Sequence, residues 1–252
     1  MNAAPVVFLS PHLDDAVLSC GARIGALGDA GRAVKVVTLF AADEPERPLS
    51  PLAADLRRWW NLPAGGIARA RRAEDAEACA ALGALAEPWD LPEAPNRLAA
   101  DGTVLYPTLA ALYGEVAAPD RALEEEIARR LAELGQVEIL APLGVGGHVD
   151  HLLARRAAER LGRDLAYYEE FPYVEWKWLA LGRALGRPRE WRSDALAVSD
   201  ELFERKVAAI LAYRSQVPAM FRGEARLRKQ LRRQLRRAGG ERIWRRARSA
   251  AG

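Results

Sequence analysis

The segment that most constrains this chain is its start. The run PVVFLS (residues 5–10) is short, continuous and β-branched, as a strand buried on both faces should be. DDAVLSCGARIGALGDAG (14–31) follows with helical character. An acidic residue lies in its first turn and Gly31 at its C-terminal side. AVKVVTLFA (33–41) then reads as a second strand. A strand–helix–strand unit of this length closes by a right-handed crossover and makes the two strands parallel. The rest of the chain repeats the alternation. Helices are expected over 68–84, 121–135, the later part of 148–162, and 200–217, with strands near 86, over 136–144 and over 164–174. Residues 43–66 read as a loop holding four prolines and a short helix, LAADLRRWW. The expected fold class is α/β: a three-layer, Rossmann-like, mostly parallel sheet with helices on both faces.

In such sheets ligands bind beyond the carboxyl ends of the strands. Two segments fall there, SPHLDD (10–15) and GGHVDH (146–151), and they contain all three histidines of the chain: His12, His148 and His151. Each histidine lies close to an aspartate, a density that neither a turn nor a helix cap requires. The first strand–helix turn has no GxGxxG, so a dinucleotide site is not expected. A metal is. Catalytic zinc takes three protein ligands and keeps one position open. His12 and Asp15, three residues apart across the turn, can point the same way, and His151 completes the set. Ferrous iron suits the same donors. Asp14 is then free to act as general base; its plainer reading is a helix cap, which would not exclude catalysis. His148, as an imidazolium, would stabilise an oxyanion and protonate a leaving amine, with Asp150 orienting it.

These residues carry a resemblance. SPHLDD together with GGHVDH is similar to the paired motifs of the PIG-L (LmbE-like) family of N-acetylglucosaminyl de-N-acetylases. RRAEDAEACAALG (71–83), AYRSQ (212–216) and ERIW (241–244) resemble its weaker motifs, so the likeness runs from about residue 6 to about 246. The resemblance implies a zinc-dependent hydrolase that removes acetyl from a 2-acetamido sugar. It places the ligands on His12, Asp15 and His151, the base on Asp14, and the acid or oxyanion residue on His148. One departure stands out. Some members carry a tyrosine two residues before the position of His148, where this chain has Gly146. His148 and the metal must then suffice, or Tyr106, Tyr113 or a loop residue must stand in. Leu13 replaces a commoner proline, a neutral change.

For the substrate, Trp59 and Trp60 are placed to line the mouth, Arg71 and Arg97 to meet sugar hydroxyls or a phosphate, and Glu169 or Glu170 to meet sugar hydroxyls. An amidase acting on a longer acyl or thiol conjugate would use the same chemistry in a wider pocket. The rival from another class is a nucleic-acid or acidic-surface binding protein. It is suggested by residues 222–252, which hold twelve basic residues against two acidic, while the remainder carries a net charge of −7. In ARLRKQLRRQLRRA, Leu227, Leu231 and Leu235 form one narrow stripe. The stripe either packs on the acidic body or lets the arginines hold the protein to an anionic surface. Nucleic acid is not the expected partner, and the oligomeric state is left open. The 252 residues are expected to form a single domain, 1–252, that includes this basic segment. Two cysteines, Cys20 and Cys79, make no disulfide framework and no CxxC zinc site, which fits a cytoplasmic protein without a signal peptide.

Overall fold

The computed structural model describes residues 3–59, 67–176 and 178–247. Seven strands form one sheet: β1 (Val6–Ser10), β2 (Val34–Thr38), β3 (Leu85–Pro88), β4 (Glu138–Pro142), β5 (Ala166–Tyr168), β6 (Trp191–Leu196) and β7 (Glu241–Arg246). The helices are α1 (Asp15–Asp29), α2 (Pro51–Trp59), α3 (Ile67–Ala81), α4 (Leu109–Leu112), α5 (Asp120–Glu133) and α6 (Val149–Glu159). They continue with α7 (Tyr173–Trp176), α8 (Trp178–Leu185), α9 (Asp200–Leu211), α10 (Val217–Phe221) and α11 (Glu224–Ala238). Among the described residues no helix is long and apolar enough to cross a membrane.

The spatial order is β3-β2-β1-β4-β5-β7-β6. The first five strands are parallel, with Val6 opposite both Val34 and Glu138. β7 runs antiparallel to β5 and to β6. All five residues of β1 are buried, as its apolar run requires. Alternation along β1 divides the core. Val6 and Phe8 pack with α1, α3, α9 and α11 on one face; Val7 and Leu9 pack with α5 and α6 on the other. Each such side chain contributes about 1.5–3 kcal/mol by leaving water. The strand order reverses between β1 and β4, so the crevice at their carboxyl ends is the place where a ligand is expected.

The C-terminal part differs from the sequence expectation. The strand expected over 164–174 is confined to Ala166–Tyr168, and its last residues turn into α7. β6 and β7 are strands that the sequence does not announce. Their exposed polar and charged residues dilute the apolar signal that marks the buried strands. In the stripe of α11, Leu227 and Leu231 are buried in the core and Leu235 packs at its edge.

Candidate active site

The β1–α1 turn is built around Ser10. Its hydroxyl donates to the carbonyl of His12 at 2.7 Å and accepts the amide of Ala16 at 3.0 Å, so it supports the start of the helix. Asp14 precedes α1 but makes no side-chain cap, which removes the capping alternative. Its φ of 151° lies where non-glycine residues rarely sit, at a cost of about 1–3 kcal/mol. That conformation leaves the Asp14 carboxyl lining the cleft beside His12 and Asp15.

The β4–α6 turn brings the second group. Glu170, just beyond β5, accepts the amides of Gly144 (2.7 Å) and Val145 (3.1 Å) and so fixes this turn. The three histidine rings then lie with centroids 5.0–5.5 Å apart. Asp15 Oδ2 sits between two of them, 3.1 Å from His12 Nδ1 and 3.3 Å from His151 Nε2. Each imidazole turns its other nitrogen to a buried carboxylate. His12 Nε2 is 2.9 Å from Asp150 Oδ2, and His151 Nδ1 is 3.3 Å from Glu170 Oε1.

This arrangement fits a divalent metal. His12, Asp15 and His151 can each offer one atom, with the three within 4.8 Å of one another. His151 Nε2 is buried and has no hydrogen-bond partner among the described residues, although it faces Asp15. A buried polar atom left in that condition is costly unless something else satisfies it. The carboxylates behind the two histidines fix their tautomers in the manner usual for metal ligands. His12, His148 and Asp150 form a second geometrically compatible set. That set is the weaker, because Asp150 already binds Arg97 and the amide of Ala94.

The charges follow from burial and neighbours. Without a metal, burial opposes protonation of His12, but hydrogen bonds to Asp15 and Asp150 outweigh it and hold its pKa well above the usual range. His151 is likewise opposed by burial but raised to about 9, chiefly by Asp15. Burial would raise Asp15, yet His151 and His12 hold it well below the ordinary carboxylate range. Asp14 is pushed up to about 8, first by burial and then by the charge of Asp15.

Several of the expected site residues make contacts other than those expected. Asp150 does not orient His148 through its carboxylate. Its backbone amide donates to His148 Nδ1 at 3.2 Å, while the carboxylate serves His12 and Arg97. Burial lowers the pKa of His148 to about 3, against the charge of Asp150 that raises it, and because its Nδ1 accepts the Asp150 amide, a neutral ring here carries its proton on Nε2. Arg97 is not in the cleft. It is 4% exposed, tied to Asp120 and Asp150, with its guanidinium over the rings of Phe40 and Tyr106. Glu169 faces away, accepting from Arg242 (2.6 Å) and Trp244 Nε1 (2.8 Å) near the C-terminus. Trp59 is 61% exposed and lines the cleft, as does Arg71, whose Nη1 donates to Glu93 Oε1 at 2.7 Å. Trp60 lies outside the described residues. Glu93 and Tyr173 also line the cleft, and the sequence does not point to them. No local pattern marks either: Glu93 sits in an irregular proline-rich stretch and Tyr173 in a segment that reads as strand.

Comparison with known proteins bears on the family and the fold. The model of the PIG-L family, described as GlcNAc-PI de-N-acetylase, matches residues 7–161. A 2'-N-acetylparomamine deacetylase of Streptomyces fradiae is 33% identical over 174 residues, 67% of this chain; the match spans only 57% of that relative's length. A 2'-N-acetylparomamine deacetylase of Niallia circulans is 29% identical over 249 residues, covering 87% of this chain and 83% of the relative. Among solved structures, the zinc-inhibited form of teicoplanin deacetylase superposes with a TM-score of 0.83 at 26% identity, over 98% of this chain and all of that one.

Proposed function

The chain belongs to the PIG-L family, and from that membership we propose that it is a metal-dependent hydrolase that removes the acetyl group from a 2-acetamido sugar or its glycoconjugate. The observation that carries this reading is Asp15 Oδ2 between His12 Nδ1 and His151 Nε2, each ring backed by a buried carboxylate. His12, Asp15 and His151 would hold the ion, zinc or ferrous iron. A divalent ion there supplies Lewis acidity toward an acyl carbonyl and acidifies water.

The residues around it divide the remaining work. Asp14 removes the proton from the attacking water. Burial and the charge of Asp15 push the Asp14 pKa up, and a carboxylate so raised is a stronger base than an ordinary one. Once protonated, the same carboxyl delivers its proton to the leaving nitrogen. His148 Nε2–H donates a hydrogen bond to the acyl oxygen. Arg71, Glu93 and Trp59 on the cleft wall meet sugar hydroxyls and the ring face.

The test is direct. Protein stripped of metal and reloaded separately with Zn2+ and with Fe2+ is given 2'-N-acetylparomamine, N-acetylglucosamine and N,N'-diacetylchitobiose, and released acetate is measured. Acetate release that requires one of the metals is expected. No release from any of them with either metal would overturn the assignment.

A further inference from the structure

Hydrolysis of an amide places negative charge on the former carbonyl oxygen, and a donor fixed in advance toward that oxygen is worth most. Besides His148, the structure offers a second donor. At Gly146, with φ +96°, an added Cβ would lie 2.8 Å from Cδ1 of Tyr173 and 3.1 Å from its Cγ. The Tyr173 ring therefore fills the space that a side chain at 146 would need. It packs edge-on to His151 with centroids 5.2 Å apart, and it lines the same cleft as His12, Asp14, Asp15 and His148. Its hydroxyl shares a hydrogen bond with Tyr113, whose ring stands edge-on to His148 at 5.4 Å.

The other tyrosines considered for this role fit less well. The Tyr106 hydroxyl donates to Asp120 at 2.5 Å and accepts the amide of Ala117, and the residue is 1% exposed. Tyr113 is 41% exposed at the rim. Tyr173 is held from two sides. Gly146 bounds its ring, and Glu170, three residues earlier, binds both the β4–α6 turn and His151.

We propose that the Tyr173 hydroxyl is a further catalytic group, donating a hydrogen bond to the acetyl oxygen as it becomes an oxyanion, with Tyr113 as its positioning residue. The absence of a side chain at Gly146 is what admits Tyr173 to that place. The proposal rests on the amide-hydrolase reading above, and its test separates the two.

Tyr173→Phe keeps the ring and its packing and removes only the hydroxyl. A loss of roughly 10²–10³-fold in kcat is expected, with KM, Tm and metal content near wild type. Acetate, the reaction product, serves as the second probe. Its affinity for the metal-loaded protein, read by NMR titration, should weaken about tenfold in Tyr173→Phe, the scale of one hydrogen bond to a charged group. Tyr113→Phe should cost less than Tyr173→Phe in both measurements. Should the wild type deacetylate no sugar while acetate affinity still falls in Tyr173→Phe, the hydrolase reading fails and the donor stands. Wild-type acetate affinity in Tyr173→Phe, or a larger loss in Tyr113→Phe, overturns the proposal.

Discussion

Asp14 and Asp15 are neighbours with opposite electrostatics. Asp15 is stabilised as an anion by two imidazoles, whereas Asp14 is buried beside that anion and resists ionising. The ligand–base division should therefore separate cleanly. His12→Ala or His151→Ala should abolish stoichiometric metal, while Asp14→Asn keeps it and loses about 10²–10⁴ in kcat. Metal analysis beside single-turnover kinetics checks this, and equal metal content in all three variants would remove the ligand assignment. Asp150→Asn, which leaves the direct ligands intact, should weaken metal affinity about 10–100-fold in a chelator competition. The Asp14 backbone gives a second, independent test. Asp14→Ala keeps the unfavourable φ and Asp14→Gly does not, so the glycine variant should be more stable by about 1–3 kcal/mol in urea denaturation. Two equally stable variants would show that the turn bears no strain. At this scale the sequence is informative about which residues meet, because every histidine lies at a strand end. It is silent on which carboxylate serves which ring. That choice depends on where residues 92–97 and 169–170 are carried by the fold, which takes Arg97 and Glu169 out of the cleft and into structural contacts.

Elements far apart in sequence meet behind the site through α3. Glu74 accepts the amide and the hydroxyl of Ser215 at 3.0 and 2.6 Å, and Asp75 accepts the hydroxyl of Tyr213 at 2.6 Å. Two motifs that are weak alone, RRAEDAEACAALG and AYRSQ, thus bind one another, which accounts for their residue types. Asp75 also has a consequence for pH. Burial raises its pKa to about 6, against hydrogen bonds from Tyr213 and Thr38 that lower it. The folded chain then holds this proton more tightly than the unfolded chain. The stabilisation is complete below about pH 4 and is lost as pH rises through about 6. Asp75→Asn does not titrate. Between pH 5 and 7 it should gain about 1 kcal/mol relative to wild type, on the scale of 1.36 kcal/mol per pKa unit. Urea melts of both proteins at the two pH values measure the difference, and parallel behaviour would mean that Asp75 is ionised throughout. The parallel half of the sheet is legible in the sequence because its strands are buried and apolar. The β6–β7 pair is not, because half of its side chains face solvent.

Over the whole molecule, the basic C-terminal segment closes the sheet on one side. β7 lies between β5 and β6, so the pairing of β6 to the sheet passes through it. Glu241, at the start of β7, accepts from Lys206 Nζ at 2.7 Å and from the amides of Ala22 and Arg23 in α1, all in the interior. Many of the arginines meet carboxylates of the body: Arg228 with Glu204, Arg233 and Arg237 with Glu175, Arg242 with Glu169, Arg245 with Glu138. The pairs open to solvent on both sides, Arg228 with Glu204 and Arg245 with Glu138, are each worth about 0–1 kcal/mol. The buried contacts of the segment hold it more strongly. Removing it would expose the surfaces that pack on Leu227, Leu231 and Ile243, at about 1.5–3 kcal/mol each. It would also leave the Lys206 charge buried without its partner, at about 3–5 kcal/mol. Losses of that size rival the total stability of a domain, about 5–15 kcal/mol. A chain ending at Phe221 should therefore show no cooperative melt. Anionic-surface binding, a separate proposal, falls to basic residues such as Arg226, Lys229 and Arg236, which form no ion pair among the described residues. Each contributes about 1 kcal/mol near an anionic bilayer. Changing these three to alanine should keep the melt near wild type and remove any salt-sensitive co-sedimentation with anionic vesicles. A truncated chain that still melts cooperatively within a few degrees of the full chain would show instead that the segment is an appendage to a domain complete without it.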